Sequence, residues 1–386
     1  MYDFFYEADK YYNTMVKIRR KLHMHPELGR DLFFTANLVE SILKEADISY
    51  KRFKNNGIVA EIGSGRRGIA LRADMDAIPV QDMKDVSYKS KINGVMHACG
   101  HDAHTAIQIG SALILKNIES ELNGKVRFIF QPAEETDGGA KDMIEYGALK
   151  DVQAVIALHV DENLNTGTIG FRKGVVNAAS NPFKIEVKGK SAHGAHPENS
   201  IDAIYIASKI IDSLQMLVSR ELSPLDSAAI SIGKINGGTA ENIICGEVTM
   251  EGILRSFGAA NRQRFQDRIK TIVESTASMF RGLGKVDFVD GYPSFENDDD
   301  LYDFAYKVFG HSEDVKIVKL ECPNMTVEDF AYYTQEVPGF YYKLGCRNIN
   351  QGIVNPAHGS YFDVDEACLP IGCALQSMFA FEYLNR

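Results

Sequence analysis

Apolar positions along the first 180 residues recur in two alternating rhythms. Stretches 8–22, 35–46 and 103–116 repeat them at the three-to-four-residue interval of an amphipathic helix. Between these, 59–62, 69–72, 126–130 and 154–158 are short, nearly continuous apolar runs, the pattern of strands buried on both faces of a parallel sheet. Helices alternating with such strands predict an α/β unit in which a mostly parallel sheet is covered by helices. From 181 the rhythm changes. A strand at 183–187, a helix at 201–218, strands at 228–235 and 248–255, a helix at 262–280 and a strand at 286–289 follow in the βαββαβ order of a ferredoxin-like unit. Helix and strand alternation resumes after Pro293 and closes in a helix at 368–383.

The expected organisation is one α/β domain, residues 1–180 and 294–386, into which a satellite domain, residues 181–293, is inserted. A length of 386 residues suits two domains. Gly63-Ser64-Gly65-Arg66-Arg67-Gly68 has the glycine spacing of a dinucleotide-binding loop, but a strand follows it where that fingerprint needs a helix. It reads as a hairpin turn.

Composition narrows the class. Hydrophobic residues at 45% and charged residues at 24% are globular values that exclude long disorder. No run approaches the ~20 apolar residues of a membrane helix, and the first residues lack the basic and apolar regions of a secretory signal. The six cysteines are scattered, without C-x-x-C pairs, so reduced thiols and a cytoplasmic location are expected. A net charge of -10 without a basic stripe argues against a nucleic-acid partner.

The chemistry concentrates in four places. Met96-His97-Ala98-Cys99-Gly100-His101-Asp102-Ala103-His104 gathers a thiol, three imidazoles and a carboxylate just before a helix, and thiolate and imidazole are the donors that Zn²⁺ and its neighbours prefer. In an extended loop, residues two apart project to one side, so Cys99 and His101 can share a metal, with Gly100 leaving room between them. Read blandly, the same stretch is a helix N-terminus with exposed histidines. Glu134 and Glu135 follow the strand 126–130; their side chains diverge, so one carboxylate can bind metal while the other faces a reacting water. His159 ends the apolar run 154–158, and His358 sits in a turn-rich loop. Each of these alone has a structural explanation, but together they fall at strand ends, where open α/β sheets place their ligands. Cys99, His101, His159, His358 and one of the two glutamates offer enough donors for two metals, with the Cys99 thiolate as the natural bridge.

Five motifs, in order, resemble those of the amidohydrolase branch of the aminoacylase/carboxypeptidase metallopeptidase family: His23-Met24-His25-Pro26-Glu27-Leu28-Gly29, the stretch from Arg72 to Pro79, the stretch from Met96 to Asp102, Gln131-Pro132-Ala133-Glu134-Glu135, and Ala192-His193-Gly194-Ala195-His196-Pro197. The resemblance spans nearly the entire chain. It implies Cys99, His101, Glu135, His159 and His358 as metal ligands, two divalent ions per subunit drawn from Zn, Mn, Co or Ni, and Glu134 as general base. Asp74 stands where the wider family has a metal-binding histidine, and Asp76 follows it; both are expected to support the site. The resemblance further implies that His193, in the satellite, donates to the substrate carbonyl of a partner subunit, and that Asn242 and Arg255 lie near the substrate. The expected reaction is hydrolysis of the amide bond of N-acyl amino acids or related small conjugates, by a homodimer joined through its satellite domains. Three rivals remain: a dipeptidase or carboxypeptidase of the same group, a thiol hydrolase using Cys99 as nucleophile, and a non-catalytic metal-dependent binding protein.

Overall fold

The structure, a computed structural model, describes residues 2–223, 226–310, 312 and 314–386. The chain divides into two compact units: Met1–Gly174, Glu296–Cys322 and Asp329–Arg386 form the first, Val175–Phe295 and Pro323–Glu328 the second.

In the first unit the apolar runs become the centre of an eight-stranded mixed sheet. Its order is Ser49–Arg52, Ile58–Gly63, Lys125–Gln131, Gly68–Asp74, Ala154–Asn165, Gly339–Arg347, Thr168–Phe171 and Lys316–Lys319. The four central strands, from Lys125–Gln131 to Gly339–Arg347, run parallel. Every residue of Gly68–Asp74 is buried, as expected for a strand covered on both faces. Helices Phe4–Met24, His101–Asn117 and Cys368–Asn385 pack on one another and cover the sheet. Phe4–Met24 starts at Asp3, whose carboxylate accepts the Tyr6 N–H and so satisfies one of the free first-turn donors. Cys368–Asn385 is buried along most of its length, which accounts for its lack of a polar face. Against it, Phe379 stacks on Phe340 with ring centroids 5.8 Å apart.

The glycine segment at 63–68 is not a hairpin. Ile58–Gly63 and Gly68–Asp74 both pair with Lys125–Gln131, antiparallel and parallel respectively, so that later strand lies between them. The connection must therefore pass around the start of an intervening strand at close range. Gly63, at φ 77°, lies so near Gly124 that an added Cβ would sit 2.4 Å from its carbonyl oxygen. The peptide N–H of Lys125 donates to Arg67 across this crossing at 2.9 Å. The strand read as ending near His159 is also longer, continuing to Asn165 along Gly339–Arg347. Its pairing with Gly68–Asp74 stops at Ala157.

The second unit is a four-stranded antiparallel sheet, ordered Ala228–Gly237, Glu247–Ser256, Ala179–Lys188 and Leu283–Phe288, with helices Ala203–Met216 and Ala259–Met279 packed on it. That is the ferredoxin-like arrangement. Phe183, Ile185 and Val187, alternating along one strand, face a core completed by Ile206, Ile210, Phe265 and Ile269. Asp202 caps the first helix by accepting from the N–H groups of Ile204 and Tyr205.

Candidate metal centre

The ligand loop and the helix after it meet at Gly100, which has the left-handed φ of 88°. An added Cβ there would lie 2.3 Å from Val160 Cγ2, so the position requires glycine both for its conformation and for space. Cys99 and His101 converge through this sharp bend rather than through the alternation of an extended loop. Their donor atoms and that of His159 lie within 4.8 Å of one another, as do those of Cys99, Glu135 and His358, and those of His101, Glu134 and Glu135. The first unit thus brings all five expected ligands and the expected base into one cluster.

The far side of each candidate ligand explains its orientation. His159 Nδ1 is 2.7 Å from the Val160 carbonyl, to which it donates; Nε2 is left without a proton and faces Cys99 Sγ at 3.4 Å. His358 adopts φ 63°, and its peptide N–H donates to Ala98 at 2.7 Å, tying the His358 loop to the residue before Cys99. Its Nε2 lies 3.4 Å from Glu135 Oε1. Ala133, at φ 59°, turns the chain after Gln131, and Asp76 takes the next two peptide N–H groups, those of Glu134 and Glu135, at 3.0 and 3.1 Å. Asp74 Oδ1 accepts from His104 at 2.6 Å and its Oδ2 from Arg72 at 2.7 Å, while His101 Nε2 lies 3.7 Å from Oδ2. Asp74 and Asp76 accordingly stand behind the donor cluster, with their oxygens engaged.

Electrostatics favour a cation here. Burial pushes the Cys99 thiol up to about 12, with Glu135 adding to the effect, so without a positive ion it stays protonated. Burial alone would lower His101, but Asp74 and Asp76 hold it well above the ordinary imidazole range. Burial drives His159 far down, with Lys343 contributing, and keeps it neutral, the form that metal binding would require. For Glu135 burial acts upward, yet His358 and His101 bring the carboxyl below its usual range. Both ring nitrogens of His101 and Oε1 of Glu135 are buried without a hydrogen-bond partner. Orphaned donors and acceptors in a mixed S, N and O set fit a divalent transition metal.

Behind the cluster lies a buried network that the residue pattern did not announce. The Asp102 carboxylate is an ion-pair partner of Arg19, 2.9 Å away, and accepts from His23 Nδ1 at 2.7 Å. Arg19 also reaches Asp363 at 2.6 Å, and the Lys84 ammonium meets His23 Nε2 at 3.0 Å and the Phe362 carbonyl at 2.6 Å. The His-x-His-Pro-Glu-Leu-Gly motif was the only signal for His23; its partners are distant in sequence.

The remaining expected residues belong to the second unit. His193 pairs in register with Ile243, and the Gly194 N–H donates to Asn242 at 2.8 Å, so His193 and Asn242 are neighbours on one short ribbon. Ala195 N–H donates to His193 Nδ1 at 3.1 Å, which places the ring proton on the exposed Nε2. Arg255 is half-buried on Glu247–Ser256 and donates to the Met325 carbonyl at 2.9 Å.

Thiol, imidazole and carboxylate donors gathered beside the parallel centre of a mixed sheet fit a metal-dependent enzyme. Residues 70–381 match Peptidase family M20/M25/M40, and the chain belongs to that family. It is 40% identical over 384 residues to IAA-amino acid hydrolase ILR1-like 4 of Arabidopsis thaliana, covering 98% of this chain and 87% of the relative. Thermostable carboxypeptidase 2 of Saccharolobus solfataricus is 37% identical, with 96% of each chain covered. N-acetyl-L-cysteine deacetylase of Bacillus subtilis is 37% identical, over 92% of this chain and 84% of the relative. A solved Bacillus subtilis protein described as a dinuclear metal-binding peptidase of the M20 family superposes with a TM-score of 0.87 at 32% identity, covering 98% of this chain and 99% of the other. The protein is a metal-dependent amide hydrolase. No helix among the described residues is long and apolar enough to cross a membrane.

Proposed function

We propose that this enzyme hydrolyses the amide bond of N-acyl amino acids or similar small conjugates, with Glu134 as general base and Cys99, His101, Glu135, His159 and His358 as ligands of two divalent ions. The observation that carries the reading is the Asp76 clamp, which holds the turn that brings two adjacent carboxylates to the cluster. Glu135 lies between His101, His358 and Cys99, and Glu134 joins it beside His101. Two divalent ions held there, drawn from Zn, Mn, Co or Ni, would supply Lewis acidity and a more acidic water. Glu134 takes the proton of the attacking water and passes it to the departing amine. The Nε2–H of His193, from the satellite unit of a partner subunit, donates to the carbonyl oxygen as it gains charge. Asn242 and the planar fork of Arg255 are suited to hold the carboxylate of the amino-acid half. A homodimer joined through the satellite units and a cytoplasmic setting complete the proposal; scattered free thiols support the latter.

Glu134→Gln keeps the shape and removes the base. It is expected to retain both metals by elemental analysis while kcat on an N-acetyl or benzoyl amino acid falls by roughly 10²–10⁴. Full activity in this variant would overturn the assignment. A dipeptidase or carboxypeptidase activity is the second reading, favoured by likeness to a protein named a carboxypeptidase; a panel of N-acyl amino acids against dipeptides separates the two.

A further inference from the structure

The neighbouring strand Gly68–Asp74 pairs with Ala154–Asn165 only as far as Ala157, and a few residues beyond that point stands Val160. Its peptide N–H donates to His104 Nε2 at 2.9 Å, and its carbonyl accepts from His159 Nδ1 at 2.7 Å. Two histidine side chains, one from the helix His101–Asn117 and one from the strand itself, thus satisfy both polar groups of one backbone residue. Because Nε2 of His104 accepts, its proton sits on Nδ1, which meets Asp74 Oδ1 at 2.6 Å. Asp74 is in turn fixed by Arg72 at 2.7 Å, and Arg72 by Asp329 at 2.6 Å. The ring of His104 is 1% exposed and every polar atom it carries is used.

We propose that His104 is a positioning residue for the metal ligand His159, acting through the Val160 backbone, with Asp74 setting its tautomer. The proposal rests on His159 being a ligand, as in the reading above. The logic is that of a ligand imidazole whose second nitrogen is held by a fixed acceptor; here the acceptor is a backbone carbonyl, and on the side away from Gly339–Arg347 that backbone is held by another imidazole. His104 grips the N–H of the residue whose carbonyl grips His159. If Val160 twists, the Nε2 lone pair of His159 leaves the direction of Cys99.

The test exploits the two nitrogens separately. In His104→Gln the amide oxygen falls near the place of Nε2 and keeps the Val160 N–H partnered, while the contact to Asp74 is lost. In His104→Asn the amide falls near Nδ1, retaining Asp74 and releasing Val160. Purified protein is stripped of metal and titrated with Co²⁺, reading the affinity of each ion and the cobalt visible absorption spectrum. For H104N the affinity for one of the two ions is expected to fall by about tenfold or more, with an altered spectrum, whereas H104Q stays within about threefold of wild type. Each variant is compared with wild type on its own, so one that fails to fold does not block the other. Wild-type binding in H104N, or a tenfold loss in H104Q, would overturn the proposal. His159→Ala serves as the control. It should lose one cobalt ion outright, and retention of both ions with an unchanged spectrum would place the failure in the ligand assignment rather than in the role of His104.

Discussion

Two consecutive peptide N–H groups, those of Glu134 and Glu135, point at the two oxygens of Asp76. Asp76→Ala leaves two donors without their acceptor in a mostly buried turn, at about 1–3 kcal/mol each where water cannot replace it. The variant is expected to melt at lower temperature and to lose kcat as the glutamates lose their orientation. Asp76→Asn, with one acceptor oxygen left, should fall between it and wild type. Differential scanning fluorimetry alongside initial rates checks that order. Much of this site was legible residue by residue. Adjacent glutamates after a buried strand and a Cys-Gly-His triplet before a helix carry their chemistry in local order. The clamp itself was not legible, because Asp76 acts on residues 58 and 59 positions away. His104 showed itself only as a third imidazole in a crowded motif; its use depends on Val160, brought alongside by folding.

At the scale of elements, the helix Phe4–Met24 is tied to the ligand-bearing parts by Arg19, whose side chain is fully buried against Asp102, Asp363 and Glu366. Replacing Arg19 with Met keeps the bulk and strands the carboxylates, a change of about 3–5 kcal/mol for a broken buried pair. The acid response follows as well. Burial would raise the Asp363 carboxyl, but Arg19, Lys84 and Tyr88 hold it below its ordinary range; Asp82 is likewise held down, against its burial, by His23, Ser90 and Lys84. A carboxylate lowered in the folded state adds stability above its unfolded value near ~3.9 and loses it as pH falls through the folded value. The stability these carboxylates contribute should therefore be lost below about pH 4 in urea titrations of the wild type, and in R19M, where Asp363 no longer faces the Arg19 cation, that acid-side loss should be smaller. Helix and strand rhythms were readable because each is periodic within a dozen residues. The strand Ala154–Asn165 was underestimated because its second half, Asp161-Glu162-Asn163-Leu164-Asn165, lacks β-formers and is held by its partner Gly339–Arg347. The supposed hairpin failed for a similar reason, since nothing near Gly63 announces a strand that arrives from residue 125.

For the whole molecule, each unit has a hydrophobic core of its own. In the second, the edge strand Ala228–Gly237 carries Ile235 at 52% exposure, and the helix Ala203–Met216 exposes Ile204 and Tyr205. Exposed apolar side chains on this edge and helix support the proposed dimer. Sedimentation velocity should give twice the chain mass. Ile235→Asp should shift it towards the monomer and reduce kcat with metal content unchanged; full activity in the monomer would remove His193 from the partner's reaction. The insertion of Lys125–Gln131 between two earlier strands bears on how the molecule comes into being. As the chain is synthesised, Ile58–Gly63 and Gly68–Asp74 emerge first and cannot join each other, so each presents an open edge until residue 131 has followed. The strand that fills the gap leads directly into Glu134 and Glu135. Filling that gap and delivering the two glutamates are therefore coupled, and a nascent chain truncated before that point carries an aggregation hazard and lacks both carboxylates.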